Sequence, residues 1–178
     1  MRGIHRSTRS ALVAVFALAA ASAQAQIGGT SEPKTAAESP DAEFVQQAAR
    51  AGMAGVELSR LAERAAASPD VRRFAAQTIR DRDASDRELN TIATHENIAP
   101  AKELDRDDAR VYDRLAALHG PELDRAYMEA MRVEHERLLD LYRSSQGTVS
   151  TDELRAYIRK TLPAIEARLR AAQHVKTG

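Results

Sequence analysis

The chain has 178 residues, with 26 lysines and arginines against 26 aspartates and glutamates, and neither cysteine nor tryptophan. Balanced charge of mixed sign excludes the broad positive field on which nucleic-acid or anionic-membrane binding depends, and the lack of cysteine excludes disulfides, a lipid-modified cysteine and a thiolate nucleophile. Three phenylalanines and four tyrosines are too few to build stacking platforms for bases or sugars.

Residues 1–25 read as a secretory signal peptide. Arg2, Arg6 and Arg9 give a basic start, Ala11 to Ala21 is a continuous apolar run, and Ala23-Gln24-Ala25 is a small-residue cleavage motif. The run falls short of the ~20 residues that span a bilayer, which disfavours the alternative of an uncleaved anchor. Cleavage after Ala25 removes three basic and no acidic residues, leaving 23 against 26 and a net charge of −3. The expected location is periplasmic or secreted, with outer-membrane association as a further option. Residues 26–40, QIGGTSEPKTAAESP, carry no apolar period and read as a disordered linker. Residues 41–175 read as one helical domain.

The first helix is expected from Ser39-Pro40, a capping serine followed by proline at the first helical position. Its inward stripe is Phe44, Ala48, Ala51, Gly55, Leu58 and Ala62, and Gly52 and Gly55 permit close approach of a neighbour. Ser68-Pro69 repeats the start signal after a tight turn and opens a helix running to about Glu96. Residues 97–104 break the pattern, and a short helix is expected from Arg106 to His119. Pro121 opens a long helix carrying Leu123, Tyr127, Met128, Met131, Leu138 and Tyr142, ending near Gly147. Ser150-Thr151-Asp152-Glu153 reads as a capping box for the last helix, in which Pro163 predicts a kink one turn upstream. Four long helices, with a long connection holding a short fifth one, give an all-α, ferritin-like four-helix bundle with a crossover between the second and third long helices. No internal repeat of fixed period stands out.

Four polar residues sit at helical spacing among apolar ones: Glu57 between Met53 and Leu61, Arg82 after Thr78 and Ile79, His135 between Met131 and Leu138, and Arg168 after Ile165. Polar groups facing a core are costly unless paired. An internal cluster of Glu57, Arg82, His135 and Arg168 is therefore expected, with Asp86, one turn beyond Arg82, as a further partner. Each residue taken singly has a plainer reading, as a snorkelling side chain or a satisfied core histidine. A dinuclear carboxylate site needs Glu-x-x-His pairs, which the chain lacks. Glu134 and His135 are adjacent and point about 100° apart, so they make no such pair. Arginine stays protonated and cannot ligate a metal. Removing Glu57 from such a cluster is expected to strand a buried cation and destabilise strongly.

The segments FVQQAARAGMAGVELSRLA, SPDVRRFAAQTIRDRDASDREL, LDRAYMEAMRVEHERLLDLY and TLPAIEARLRAAQ resemble, in order, the exported bacterial family known as domain of unknown function 4142. The resemblance spans Phe44 to Val175 and implies a ferritin-like bundle and export, with no established activity. It also implies a glutamate at Glu57 and histidines at the positions of Arg82, His135 and Arg168, a set suited to a metal. This chain keeps Glu57 and His135 and departs at the other two. The expected function is therefore a non-enzymatic exported bundle, without catalytic residues or cofactor, acting in envelope stress or surface interaction with an envelope protein as a candidate partner. The alternative is a metal-binding or oxidoreductase bundle holding one transition-metal ion at Glu57 and His135.

Overall fold

The computed structural model describes residues 39–177, so the signal-peptide reading and all of the linker before Ser39 lie outside the described residues. Five helices follow one another: α1 (Pro40–Ala65), α2 (Pro69–His95), α3 (Arg106–Ala116), α4 (Gly120–Ser145) and α5 (Asp152–His174). Among the described residues there is no strand, and no helix is long and apolar enough to cross a membrane.

Local chemistry sets the boundaries. Ser39 caps α1 by accepting the Ala42 N–H at 3.1 Å, with Pro40 in the first turn. Helix α2 stops where Asn97 turns left-handed at φ 56°, a conformation asparagine tolerates, and the Ile98 N–H closes the end on the Ala93 carbonyl at 2.8 Å. Helix α3 ends at Ala116, before the expected His119. The expected capping box at Ser150 is not formed: Thr151 caps α5, and the Ser150 hydroxyl is drawn away to Asp41. Helix α5 runs continuously through Pro163, which is exposed.

Helix α1 packs on α2 and α4, and α5 packs on α4 and α2, closing a ring of four in which α2 and α4 are diagonal; α3 lies across α1 and α4. Two buried aspartates show the direction of the helices. Asp41, at the start of α1, accepts the Ser150 N–H at 2.6 Å and the Ser150 hydroxyl at 2.7 Å in the α4–α5 turn. Asp124, near the start of α4, accepts the Ala67 and Ser68 N–H groups at 2.9 and 2.7 Å in the α1–α2 turn. Helices α1 and α5 therefore run one way and α2 and α4 the other, and the connection between α2 and α4 returns along the bundle, carrying α3.

These latches belong to a repeat that the sequence pattern does not announce. Asp41 and Asp124 are 83 residues apart, and so are Arg72 and Arg155. Arg72 donates to the Ala66 and Ala67 carbonyls, and Arg155 donates to those of Val149 and Ser150, again shifted by 83. Phe74 meets Tyr127 edge-on at 6.2 Å, and its counterpart Tyr157 meets Phe44, the counterpart of Tyr127, at 6.4 Å. The hairpins α1–α2 and α4–α5 are thus equivalent units that latch each other reciprocally. What persists between them is a set of matched positions, Asp with Asp, Arg with Arg and Phe with Tyr, too sparse for a fixed period to stand out.

The core divides into two apolar clusters. One gathers Phe44, Leu89, Leu138, Tyr142, Leu154 and Tyr157, and the other Leu58, Phe74, Leu115, Leu123, Tyr127 and Met131. Each large side chain withdrawn from water contributes roughly 1.5–3 kcal/mol. The charged residues of the bundle centre lie where the clusters meet.

Candidate functional site

Arg82, on α2, is buried, and its guanidinium donates to Glu134 Oε1 on the diagonal helix α4. Gly55 opens the path between them: a Cβ there would stand 3.3 Å from Arg82 Nε and 3.6 Å from Glu134 Oε1. Gly52, one turn earlier, makes room for Asp86, whose Oδ1 would lie 2.5 Å from a Cβ at that position. The close approach expected at these glycines is therefore made by charged side chains of α2 rather than by backbone.

Electrostatics follow from this packing. Burial pushes the Glu134 carboxyl up, but Arg82 and His135 outweigh it and hold the group below its ordinary value. Burial lowers Arg82, and Glu134, with smaller contributions from Tyr142 and Asp86, more than restores it. Asp86 differs: burial raises its carboxyl to about 6 despite the attraction of Arg82. Beside it, Tyr157 shares hydrogen bonds with the Ser85 hydroxyl at 2.7 Å and the Tyr142 hydroxyl at 3.1 Å.

His135 is enclosed, with Nδ1 2.7 Å from the Met131 carbonyl. A carbonyl can only accept, so Nδ1 carries the proton and Nε2 is left without one in the neutral ring. Glu134 Oε2 lies 2.9 Å from the same Nδ1, but the N–H points along the helix, and this buried oxygen has no directed hydrogen bond. Adjacent residues at 100° thus come into contact after all, because the glutamate side chain is long enough to fold back.

The five expected cluster residues separate into three groups. Arg82 and Asp86 share one charged layer, and His135 joins it through Glu134. Arg168 pairs with Asp81 and lies over the Phe74 ring at 5.9 Å, while His135 meets that ring edge-on at 6.5 Å. Glu57 does not join: its side chain is 42% exposed and pairs with Arg60 at 2.8 Å on the outer face of α1. Its apolar flanks, Met53 and Leu61, are themselves only half-buried, and single exposed apolar residues are ordinary. Glu134 fills the internal acidic role, and the spacing that selected His135 also selects it, three from Met131 and four from Leu138.

The ligand set that the resemblance implies does not fit this interior. A guanidinium already answers the central carboxylate, Glu57 faces outward, and no group of three or more His, Cys, Asp or Glu side chains able to hold a metal occurs among the described residues.

A second feature lies on the α1–α4 face. Alanines from both helices, Ala51 and Ala54 opposite Ala126 and Ala130, leave a hollow that α3 covers with Val111 and Leu115, and the turn after it with Leu118. The resulting cleft has a volume of about 620 Å³, with Glu134 among its lining residues. The opposite face, between α2 and α5, is closed by polar staples: Lys160 on Glu88, Arg168 on Asp81 and Tyr157 on Ser85.

No curated protein matches the chain. Among solved structures, a DUF305 fragment from Deinococcus radiodurans is similar at a TM-score of 0.69 and 14% identity, covering 76% of this chain and 94% of that one. A DUF305 protein from Streptomyces coelicolor is similar at 0.67 and 15%, covering 76% and 91%. CopM in its Cu(I)-bound form is similar at 0.64 and 17%, covering 75% and 92%. At these identities the likeness establishes a shared helical fold. The sequence itself matches the domain of unknown function called DUF4142 over residues 24–175, and the chain belongs to that family.

Proposed function

We propose that this chain is an exported, non-enzymatic binding protein whose site is the cleft between α1, α3 and α4. The carrying observation is that cleft: about 620 Å³, largely apolar and walled on three sides, within the size range of small-molecule sites. The charged layer supports the non-enzymatic part, since the guanidinium of Arg82 already engages Glu134 Oε1. Export rests on the basic, apolar and A-x-A order of residues 1–25. The test is binding of a neutral environment-sensitive dye to the purified protein, with and without Ala130→Phe, which fills the hollow. Dye binding that the substitution removes, with unfolding unchanged, supports the reading; no binding, or binding indifferent to the substitution, refutes it.

One observation favours a second reading, metal binding. Met128, Met131 and His135 stand at i, i+3 and i+7 on one face of α4, and the proton on Nδ1 leaves Nε2 as a donor atom. Thioether and imidazole suit Cu(I), and one protein of similar fold is named as Cu(I)-bound. Both methionines are packed in the core, so an ion would have to displace apolar contacts, which places this reading second. Cu(I) titration against a chromophoric chelator tests it; uptake below about a tenth of an equivalent, unchanged by His135→Ala, rejects it.

A further inference from the structure

The residues around the cleft specify more than an apolar guest, and the following rests on the binding reading above. Seven charged side chains line it: Arg50, Arg114 and Arg137, with Asp105, Asp108, Glu129 and Glu134. Most of the acids are already engaged. Asp105 caps α3, accepting the Asp107 and Asp108 N–H groups at 2.9 and 2.8 Å. Glu129 pairs with Arg132, and Glu134 with Arg82. Asp108 has no such partner, and burial together with Asp105 raises its carboxyl above the ordinary value, against the pull of Arg137.

The arginines are the reverse. Arg50 on α1, Arg114 on α3 and Arg137 on α4 form no hydrogen bond or ion pair with any described residue. Three guanidiniums from three helices, none of them fixed by a hydrogen bond or ion pair, therefore line an apolar hollow, with the Asp108 carboxyl near Arg137. Guanidinium is matched by planar or tetrahedral oxyanions, which it binds through paired N–H groups.

We infer that the cleft binds a single-chain anionic amphiphile: an alkyl or acyl chain among Ala54, Leu58, Leu115 and Ala130, with a carboxylate on Arg50 and Arg137. Helix α3 decides the shape of the guest. It roofs the hollow with Val111 and Leu115, so a slender chain can enter, whereas a helix or a flat protein surface would have to displace it.

The experiment uses four ligands with one twelve-carbon chain: dodecanoate, dodecyl sulfate, dodecanol and dodecyltrimethylammonium. Each is titrated below its micellar concentration into the purified protein by displacement of the neutral dye. Dodecanoate and dodecyl sulfate are expected to bind at least about tenfold more tightly than the cation. The double variant Arg50→Gln/Arg137→Gln is expected to erase that preference while still binding dodecanol. Equal affinity for dodecanol and dodecanoate, or tighter binding of the cation, overturns the inference and leaves the cleft reading intact. Absence of binding by all four, together with no dye binding, removes the cleft reading itself. Retention on phosphatidylglycerol vesicles without uptake of free dodecanoate would assign the arginines to a membrane surface and also overturn the inference.

Discussion

Replacing Asp86 by Asn should make this protein more stable at neutral pH, although it deletes a charge beside an arginine. The carboxyl is wedged over Gly52 and partly withdrawn from water, and burial outweighs Arg82 in raising it from 3.8 to about 6. Between about pH 4 and pH 6 the folded chain therefore holds a proton that the unfolded chain has released. Stability contributed by that proton is fully present below pH 3.8 and is lost as pH rises through about 6. The difference corresponds to up to about 3 kcal/mol at pH 7.5, less whatever solvent screening relieves. Asn keeps the shape and remains uncharged, so its advantage should grow across that window and vanish near pH 4. Urea unfolding followed by far-ultraviolet circular dichroism at five pH values, on both proteins, measures the difference directly. A gap that is constant with pH, or an Asn variant less stable at pH 7.5, would refute the reasoning. Gly52→Ala is the structural control: its Cβ would sit 2.5–2.9 Å from three atoms of the Asp86 carboxyl group and must push that group toward water, flattening the pH dependence.

The other variants follow from which groups are answered. Arg82→Met should cost about 3–5 kcal/mol by stranding Glu134, and the double variant with Glu134→Leu should recover most of it, as a denaturation double-mutant cycle would show. Glu57→Leu, expected from the sequence to be costly, should change stability by no more than about 0.5 kcal/mol in the same assay, because its partner Arg60 is on the surface. Asp124→Ala leaves two turn N–H groups without their acceptor and should cost about 2–4 kcal/mol, with Asp41→Ala close behind; hydrogen exchange at Ser68 and Ser150 locates the loss. N-terminal sequencing of protein recovered from the periplasm or medium should begin at Gln26, and an intact Met1 there would refute cleavage.

Helix number, helix starts at proline and the crossover were legible because each rests on local chemistry, such as a capping serine, a fixed φ or an apolar period. The site was half legible. Spacing placed Arg82 and His135 in the interior, and both are buried, because each lies among residues that pack in the core. It misplaced Glu57 because Met53 and Leu61 resemble core residues in sequence yet are only half-buried. Glu134 meets the same spacing criterion, but its partner Arg82 lies 52 residues away on another helix, a pairing that no local spacing encodes. The reciprocal aspartate latches were out of reach because their donors are mainly backbone N–H groups, which no residue pattern records. The cleft was equally hidden, since alanines at a helix contact read as close packing until a third helix is laid across them.

The 83-residue repeat explains why the charged layer lies where it does. The equivalent hairpins agree at their latches and aromatic contacts, where each tie is needed at both ends of the bundle. They disagree in the middle: Ala51 stands against Glu134, Gly52 against His135 and Arg82 against Ile165. Each disagreement sets a small or apolar residue in one hairpin against a polar one in the other. The space left by Gly52 and Gly55 is filled by Asp86 and Arg82 from the same hairpin, and the carboxylate that answers Arg82 comes from the opposite one. Neither hairpin can satisfy these charges alone, so the layer acts as a key for pairing unlike halves. Two copies of α1–α2 would bring two Arg82 guanidiniums together with no Glu134. The repeat thus fixes how the hairpins dock, and its central breaks fix which hairpin docks with which.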